Sequence, residues 1–261
     1  FKKIGLTALA ASLVSVSAHA GELTVTGSAS MNTEGHSGEQ LDAGTTFSMA
    51  NSVYLKGSGE LDNGMTVSVS FELDQGTSNN SNNNFDNHSV TVSSDAMGSL
   101  TLAGHGGSTA ASKIDTTAAG DMWDNFDEMT IGGTTTANAV KTSSAGNNSL
   151  FYTSPDLMDG LNITLSYNPQ KGNAGNPSES GYGFNYTGVE GLSVSYAETD
   201  IETNVTGTTG DNTVLKVSYA YGPVTATYSN MEQDVSTTSD AGETDSYALS
   251  YTISDELSVT Y

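Results

Sequence analysis

Residues 66–73 read Thr-Val-Ser-Val-Ser-Phe-Glu-Leu, so apolar and polar side chains alternate with a period of two. The same alternation returns in residues 161–167, 215–221 and 247–253. Because successive side chains of a β-strand point to opposite faces, each stretch is predicted to be a strand with one apolar and one polar face. Thirteen strands are predicted in this way: 22–33, 46–58, 65–74, 87–94, 99–105, 149–154, 161–168, 180–187, 191–198, 212–221, 224–231, 246–253 and 256–261.

The connectors between these strands alternate in length. Short connectors, such as 59–64 and 222–223, follow every second strand. The other connectors are long and polar: 34–45, 75–86, 106–148, 169–179, 199–211 and 232–245. A soluble sandwich has no reason to place its long loops at one end, whereas a membrane barrel has short periplasmic turns and long external loops. The sequence therefore predicts an all-β, antiparallel, up-and-down transmembrane β-barrel.

The composition excludes several classes of protein. The 261 residues include 29 Gly, 4 Pro and no Cys, and only 14% of them are charged. A helical bundle or an ordinary α/β enzyme would contain more Leu, Ala, Lys and Glu. The formal net charge is −23, with 30 acidic residues against 7 basic ones, all of them Lys. A nucleic-acid partner is excluded, because phosphate binding needs a basic surface.

The first twenty residues are typical of an export signal. Lys2 and Lys3 precede a short apolar stretch over residues 4–16, and Ala18-His19-Ala20 fits a cleavage site. Residues 1–20 are therefore predicted to be a signal peptide that is removed, and residues 21–261 to be the barrel domain. Because the chain has no Cys, closure of the barrel rather than disulfides would have to satisfy the backbone hydrogen bonds and stabilise the fold.

The alternation alone does not say which face of the strands meets water. Tyrosines lie at the ends of the apolar rows, as interfacial aromatic girdles require: Tyr167, Tyr196, Tyr219, Tyr221, Tyr228 and Tyr251. The polar rows consist mainly of Ser, Thr and Gly, which make a poor packed core and a suitable lining for a water channel. The pattern therefore favours a barrel whose apolar face meets lipid.

Three segments resemble the general bacterial porins, the trimeric diffusion channels of the outer membrane. They are residues 51–64, residues 97–105 and, most specifically, Asn148-Ser149-Leu150-Phe151-Tyr152-Thr153-Ser154-Pro155-Asp156-Leu157. The resemblance implies a sixteen-stranded barrel and a homotrimer surrounded by outer-membrane lipid and lipopolysaccharide. It also implies passive diffusion of small hydrophilic solutes and ions, and no enzymatic activity. No Gly-x-Ser-x-Gly motif or acid–base spacing argues for catalysis.

In that family the third external loop folds inward and narrows the pore, and here the third long connector, 106–148, is the longest. Its acidic side chains are predicted to form the pore constriction: Asp115, Asp121, Asp124, Asp127 and Glu128. Lys113 and Lys141 are the basic residues of the same connector. An acidic lip in confined water would favour cations. The alternative is a solvated surface loop whose acids only keep the exterior hydrophilic.

The strand parity predicts a set of charged side chains on the lumen wall: Lys56, Glu60, Glu72, His105 and Lys216. The alternative for the lysines is a purely structural role, in which each pairs with a neighbouring acid and has no part in transport. Arginines that the family usually sets opposite the acidic loop are absent, which strengthens the predicted cation preference. His88 has the parity of Val90, so it would face lipid unless a bulge intervenes.

Several points stay open from the sequence. Thirteen is an odd number of strands, so we expect that about three further strands complete the barrel, unless the channel has twelve or fourteen. No cofactor is predicted, although Ca²⁺ could bind external acidic loops such as 74–86, where a plain solvated loop is the stronger interpretation. The remaining alternatives are a non-conducting, adhesin-like surface protein and a substrate-specific sugar channel, which would need lumenal aromatics.

Overall fold

The computed structural model describes residues 23–36, 44–74, 86–114, 118, 130–131, 134–135, 148–169, 178–202, 210–235, 242–254 and 257–260. They form one antiparallel, thirteen-stranded sheet and a separate two-stranded hairpin. The strands are β1 (Thr24–His36), β2 (Gly44–Glu60), β3 (Thr66–Asp74), β4 (His88–Ser94), β5 (Gly98–His105), β6 (Thr130–Ile131), β7 (Thr134–Thr135), β8 (Ser149–Thr153), β9 (Leu161–Asn168), β10 (Ser178–Tyr186), β11 (Leu192–Glu202), β12 (Gly210–Tyr221), β13 (Val224–Val235), β14 (Gly242–Ser254) and β15 (Leu257–Thr260).

The topology of the large sheet is up-and-down. Its spatial order is β1-β2-β3-β4-β5-β8 and then each strand in turn to β15. Each strand of this sheet therefore pairs with the next strand of the same sheet along the chain. The small hairpin β6–β7 belongs to the third connector, and β5 pairs directly with β8 across that connector. All thirteen strands predicted from the alternation are confirmed. In the described part of the chain, no helix is long and apolar enough to cross a membrane.

The burial pattern shows which face of the sheet is packed. On β9 the exposed fraction is 46% for Leu165 but 7% for its neighbour Thr164, and on β11 Thr199 is fully buried. The face that carries Leu165 also exposes the large side chains of Tyr247 and Leu249. We call this apolar, exposed face the outer face and the opposite face the inner face. Soluble monomers rarely expose apolar patches above a few hundred Å². The apolar face is therefore the one that requires a non-aqueous environment.

The inner face is covered by the beginning of the third connector. A short 3₁₀ turn, Ala111–Lys113, lies against β10, β11 and β12. Ala110, Ala111 and Ile114 are buried there against Ala197 and Val214 of the wall. The third connector leaves at the end of β5 and turns back over the small side chains of the inner face. Its beginning is therefore folded into the barrel.

Four strands continue further toward the long connectors than the alternation indicates. β11 extends to Glu202, β12 begins at Gly210, β13 extends to Val235 and β14 begins at Gly242. In these extensions the outward positions are polar, as in Asp200 and Glu202 of β11, so the apolar signal stops although pairing continues. A strand that leaves hydrocarbon no longer needs an apolar row, but its backbone still pairs.

Candidate functional site

The third connector is held on the inner face by backbone amides. The Ala110 N–H donates to Ser166 Oγ of β9 at 2.9 Å, and the Ala111 N–H donates to Thr199 Oγ1 of β11 at 3.4 Å. Between these two strands lies Gly181 of β10, in the same row. A Cβ at this glycine would lie 2.7 Å from Ser166 Oγ and 2.8 Å from Thr199 Oγ1. The glycine therefore leaves room for both hydroxyls, and the three residues form a seat for the connector.

Two further contacts continue this attachment. The Ala118 N–H donates to Ser246 Oγ of β14 at 3.0 Å, so the connector reaches across several strands of the wall. Lys113 places its Nζ 5.6 Å from the ring centroid of Phe151, whose ladder partners Thr101 and Ser166 lie on the inner face. Phe151 is thus an aromatic side chain inside the barrel, beside a basic residue of the connector.

The inner face of β2 to β5 carries no described residue of the connector and is lined by hydroxyl groups. A cavity of about 250 Å³ lies on it, lined mainly by Thr24, Lys56, Ser58, Ser68, Ser70, Ser89 and Thr91. The register places these residues in neighbouring rows, because Lys56 is opposite Ser70, and Ser58 is opposite Ser68. Directly paired residues share a face of the sheet. This part of the wall is the hydrophilic surface that the connector leaves open.

Lys56 and Glu72 lie in this surface on adjacent strands. The exposed Lys56 has its Nζ 4.9 Å from the ring centroid of Tyr54, which is opposite Glu72 in the ladder. Glu72 is buried and accepts a hydrogen bond from Asn87 Nδ2 at 2.5 Å. The Glu72 carboxylate therefore has protein partners, while the Lys56 ammonium rests on an aromatic ring. Their part in transport stays a prediction.

The other two wall residues lie elsewhere on the inner rows. Glu60 is exposed at the short-turn end of β2, opposite Thr66. Lys216 of β12 is half-buried between Ser195 and Ser229, in the row next to Val214 under the connector. Lys216 and Lys56 are therefore on different parts of the wall, and only Lys56 lies on the open part.

The parity argument for His105 does not hold in the structure, because β5 contains a bulge. Ala103 is opposite Ser89, but His105 is opposite His88, so Gly104 is an extra residue between the two pairs. His88 is in turn opposite Phe71, which lies in the outer row of β3. The register thus favours an outer position for His105 together with His88. Strict alternation fails here because a bulge changes the parity of every residue beyond it.

The predicted acidic constriction lies outside the described residues. This applies to Asp115, Asp121, Asp124, Asp127 and Glu128, and also to the predicted signal peptide and to most of the 74–86 loop considered for Ca²⁺. In the described part of the chain, no group of three or more His, Asp or Glu side chains is arranged to hold a metal ion. The acidic residues of the connector therefore stay a prediction, whereas its first residues have a defined seat.

The outer face divides into two walls. On β8 to β14, which we call the tyrosine wall, tyrosines lie toward both ends of the strands: Tyr152, Tyr167, Tyr182, Tyr186, Tyr196, Tyr219, Tyr221, Tyr228, Tyr247 and Tyr251. Several hydroxyls donate to acids near the long connectors, such as Tyr182 to Glu198 at 2.6 Å and Tyr228 to Asp245 at 2.7 Å. Aromatic rings at two levels, with carboxylates near the outer one, are typical of the two interfaces of a bilayer.

On β1 to β5, which we call the aliphatic wall, the described outer rows contain no tyrosine and no acid. They carry Val, Leu, Met and Phe side chains, among them Met31 and Phe47 with exposed fractions of 78% and 74%. Glycine and alanine interrupt these rows at Gly27, Ala29 and Gly57. In its described residues, this wall therefore lacks the tyrosine girdles of the tyrosine wall.

The comparison with known families decides what kind of barrel this is. The sequence profile of the Gram-negative porins matches residues 5–261, almost the whole chain. The chain belongs to the Gram-negative porin family. Members of this family are channels rather than enzymes, and the predicted resemblance is confirmed. The protein is thus an outer-membrane channel.

Solved porin structures share the fold at low sequence identity. OmpF of Salmonella typhi, in complex with daunomycin, has a TM-score of 0.56 and 17% identity over 88% of this chain and 74% of its own. The trimer form of OmpT from Vibrio cholerae has a TM-score of 0.57 and 15% identity over 91% of this porin and 75% of its own chain. An anion-selective porin from Comamonas acidovorans has a TM-score of 0.51 and 18% identity, covering 92% and 78%. No curated protein matches the sequence.

Some parts of the site could not be found by reading the porin sequence. The seat of the connector joins Ala110 to Ser166 and Ala111 to Thr199, pairs that are 56 and 88 residues apart. No local pattern marks such pairs. The one local signal is Gly181, a glycine inside a strand, because such a residue often indicates close approach of another backbone.

Proposed function

We propose that this porin is a passive diffusion channel for small hydrophilic solutes and ions that prefers cations, and that it works as a homotrimer. The observation that carries the proposal is the attachment of the third connector to the inner face of β9 to β14. A segment fixed inside a barrel narrows the water-filled path without closing it, since the hydroxyl-lined surface of β2 to β5 is left open.

Electrostatics supports the cation preference. The chain carries 30 acidic residues against 7 lysines, and it has no arginine. The connector that lies inside the barrel holds five acids in its predicted constriction against Lys113 and Lys141. In a narrow aqueous path, fixed negative charge raises the local concentration of cations and lowers that of anions.

The aliphatic wall supports the trimer and suggests where the subunits meet. A wall that faces lipid at both interfaces is expected to carry tyrosine or tryptophan anchors, and the described outer rows of β1 to β5 have none. Small residues such as Gly27 and Ala29 allow close approach of another backbone. One structural relative, OmpT of Vibrio cholerae, was solved in a trimer form. We infer that the aliphatic wall packs against a second copy of this chain, while the tyrosine wall meets lipid and lipopolysaccharide.

One processing step, cleavage of the signal peptide, completes the proposal. Residues 1–20 would be removed as a signal peptide during export, and residues 21–261 would form the barrel domain. N-terminal sequencing of the protein from outer membranes should give Gly21 as the first residue. A mature chain that still begins before Lys2 would contradict this step.

Planar-bilayer recording under a salt gradient tests the channel and its selectivity. The purified protein should give stepwise conductance, with current in multiples of three if the trimer inserts as a unit, and a reversal potential of the sign for cation preference. A reversal potential of the opposite sign would contradict the cation preference. The absence of conductance would instead support a non-conducting surface protein. Concentration-dependent block by sugars would support a sugar-specific channel.

A further inference from the structure

The aliphatic wall contains two ionisable side chains in its described outer rows, His88 and His105. The ladder places them opposite each other on β4 and β5, near the end from which the third connector leaves. Their neighbours in the outer rows are apolar: Phe71 is opposite His88, while Val90 and Leu102 face each other one pair further along. An isolated ionisable group on the apolar side of a membrane barrel indicates a function, because such a position is energetically unfavourable.

The two imidazoles lack a hydrogen-bond partner where one is expected. The Nδ1 atoms of both histidines are buried, and neither has a partner. Most buried polar atoms in proteins are paired, so an unpaired one calls for an explanation such as an ion or a water. Two such atoms on directly opposed residues point to a shared cause.

The backbone around the pair makes room for it. The bulge adds Gly104 to β5 and brings His105 into line with His88. A Cβ at Gly104 would overlap the imidazole of His88, with Nε2 as the nearest atom, so the ring lies across this glycine toward β5. Directly opposed residues in an antiparallel pair have Cβ atoms about 5 Å apart, which lets two imidazoles reach one ion. The bulge and the glycine at this end of β4 and β5 therefore accommodate the histidine pair.

We propose that His88 and His105 together bind one borderline transition-metal ion such as Zn²⁺ or Cu²⁺. Imidazole nitrogen is a preferred ligand of these ions, whereas Ca²⁺ and Mg²⁺ prefer oxygen ligands, which the described surroundings of the pair on the outer face do not offer. The chain has no cysteine that could compete as a softer ligand. With two protein ligands, water fills the remaining positions, and binding is reversible. The bound ion would tie β4 to β5 where the connector leaves the wall.

Metal titration of the full-length porin, refolded in detergent and stripped with a chelator, tests this site. Isothermal calorimetry with Zn²⁺ should show one saturable site per chain, and Cu²⁺ should give an electron paramagnetic resonance spectrum with coupling to two nitrogens. His88→Gln and His105→Gln should each lose saturable Zn²⁺ binding and reduce the Cu²⁺ coupling to one nitrogen. His36→Gln, at the end of β1, is the matched control and should bind as the unaltered protein does.

The possible outcomes separate this site from the channel proposal. Conductance of the metal-free protein should be the same in the two histidine variants as in the unaltered protein. A loss of channel activity in a variant would therefore not support the metal site. Heat-modifiable electrophoresis shows whether each variant is folded. Absence of saturable binding in the unaltered folded protein overturns the proposal without any variant. Binding that survives in both single variants, or that is lost equally in His36→Gln, overturns it as well.

Discussion

The tyrosine wall and the aliphatic wall of this porin differ on both of their faces. On the outer face, β8 to β14 carry tyrosines toward both strand ends, and the described rows of β1 to β5 carry none. On the inner face, the third connector covers β9 to β12 and buries Ala197 and Val214, while β2 to β5 remain an open surface of hydroxyls with Lys56. The two differences belong together: the wall proposed to meet lipid supports the connector, and the wall proposed to meet another subunit lines the open path.

The largest effect is expected from a charge placed on each outer face. Val53 of β2 and Leu249 of β14 are both exposed outer residues in strand interiors. Val53→Lys should abolish the trimer on semi-native electrophoresis, because an unpaired ammonium would be buried between subunits. Leu249→Lys should keep the trimer, although lysine in hydrocarbon destabilises a barrel by about 2–4 kcal/mol at the bilayer midplane. Equal oligomeric states for the two variants would remove the distinction between the walls.

The second comparison is between two strand glycines, Gly181 on the inner face of the tyrosine wall and Gly57 on the outer face of the aliphatic wall. A Cβ at Gly181 would lie within 3.0 Å of the hydroxyl oxygens of Ser166 and Thr199, whereas at Gly57 the nearest atom is 3.4 Å away. Gly181→Ala should push the connector off its seat into the open path and lower the single-channel conductance. Gly57→Ala should leave the conductance unchanged, because its contacts are ordinary. If both variants conduct like the unaltered protein, the seat does not hold the connector in place.

How far the sequence predicts this structure depends on the kind of pattern. The thirteen strands follow from alternation because hydrocarbon on one side and water on the other impose a period of two. The extension of β11 to Glu202 does not follow, because the strand has left hydrocarbon there and its outward residues are polar. The seat depends on contacts between Ala110 and Ser166, which are far apart in the chain.

His105 shows a different limit of the same reasoning. Alternation assigns it to the lumen with Ala103, but the extra residue Gly104 places it opposite His88. A bulge leaves no recognisable pattern in the sequence of a short strand. One inserted residue therefore changes the face on which the following residues lie, and the composition does not reveal this change. Assignments near strand ends that rest on parity alone therefore need the register before they support a function.

A smaller effect is expected from single hydroxyls of the inner faces. Ser166→Ala removes the acceptor of the Ala110 amide, and a hydrogen bond of this kind contributes about 1 kcal/mol. Hydrogen exchange at the Ala110 amide should then be faster by about fivefold. Ser89→Ala, in the open cavity on the opposite wall, should leave that exchange rate unchanged. Faster exchange in both variants would mean that the effect comes from general loosening of the barrel and not from the seat.

The smallest effect should separate the two lumenal lysines. Lys56 is exposed on the open surface, while Lys216 is half-buried between Ser195 and Ser229 on the wall that supports the connector. A unit charge about 8 Å from a passing ion acts with about 0.5 kcal/mol in water without salt and about 0.2 kcal/mol at physiological ionic strength. Because it attracts anions as much as it repels cations, it changes the ratio of cation to anion permeability about twofold. Lys56→Gln should raise that ratio by this amount under a salt gradient, and Lys216→Gln should change it less, because its charge is farther from the open path. A larger shift for Lys216→Gln would place the ion path beside β12 and reverse the assignment of the two inner faces.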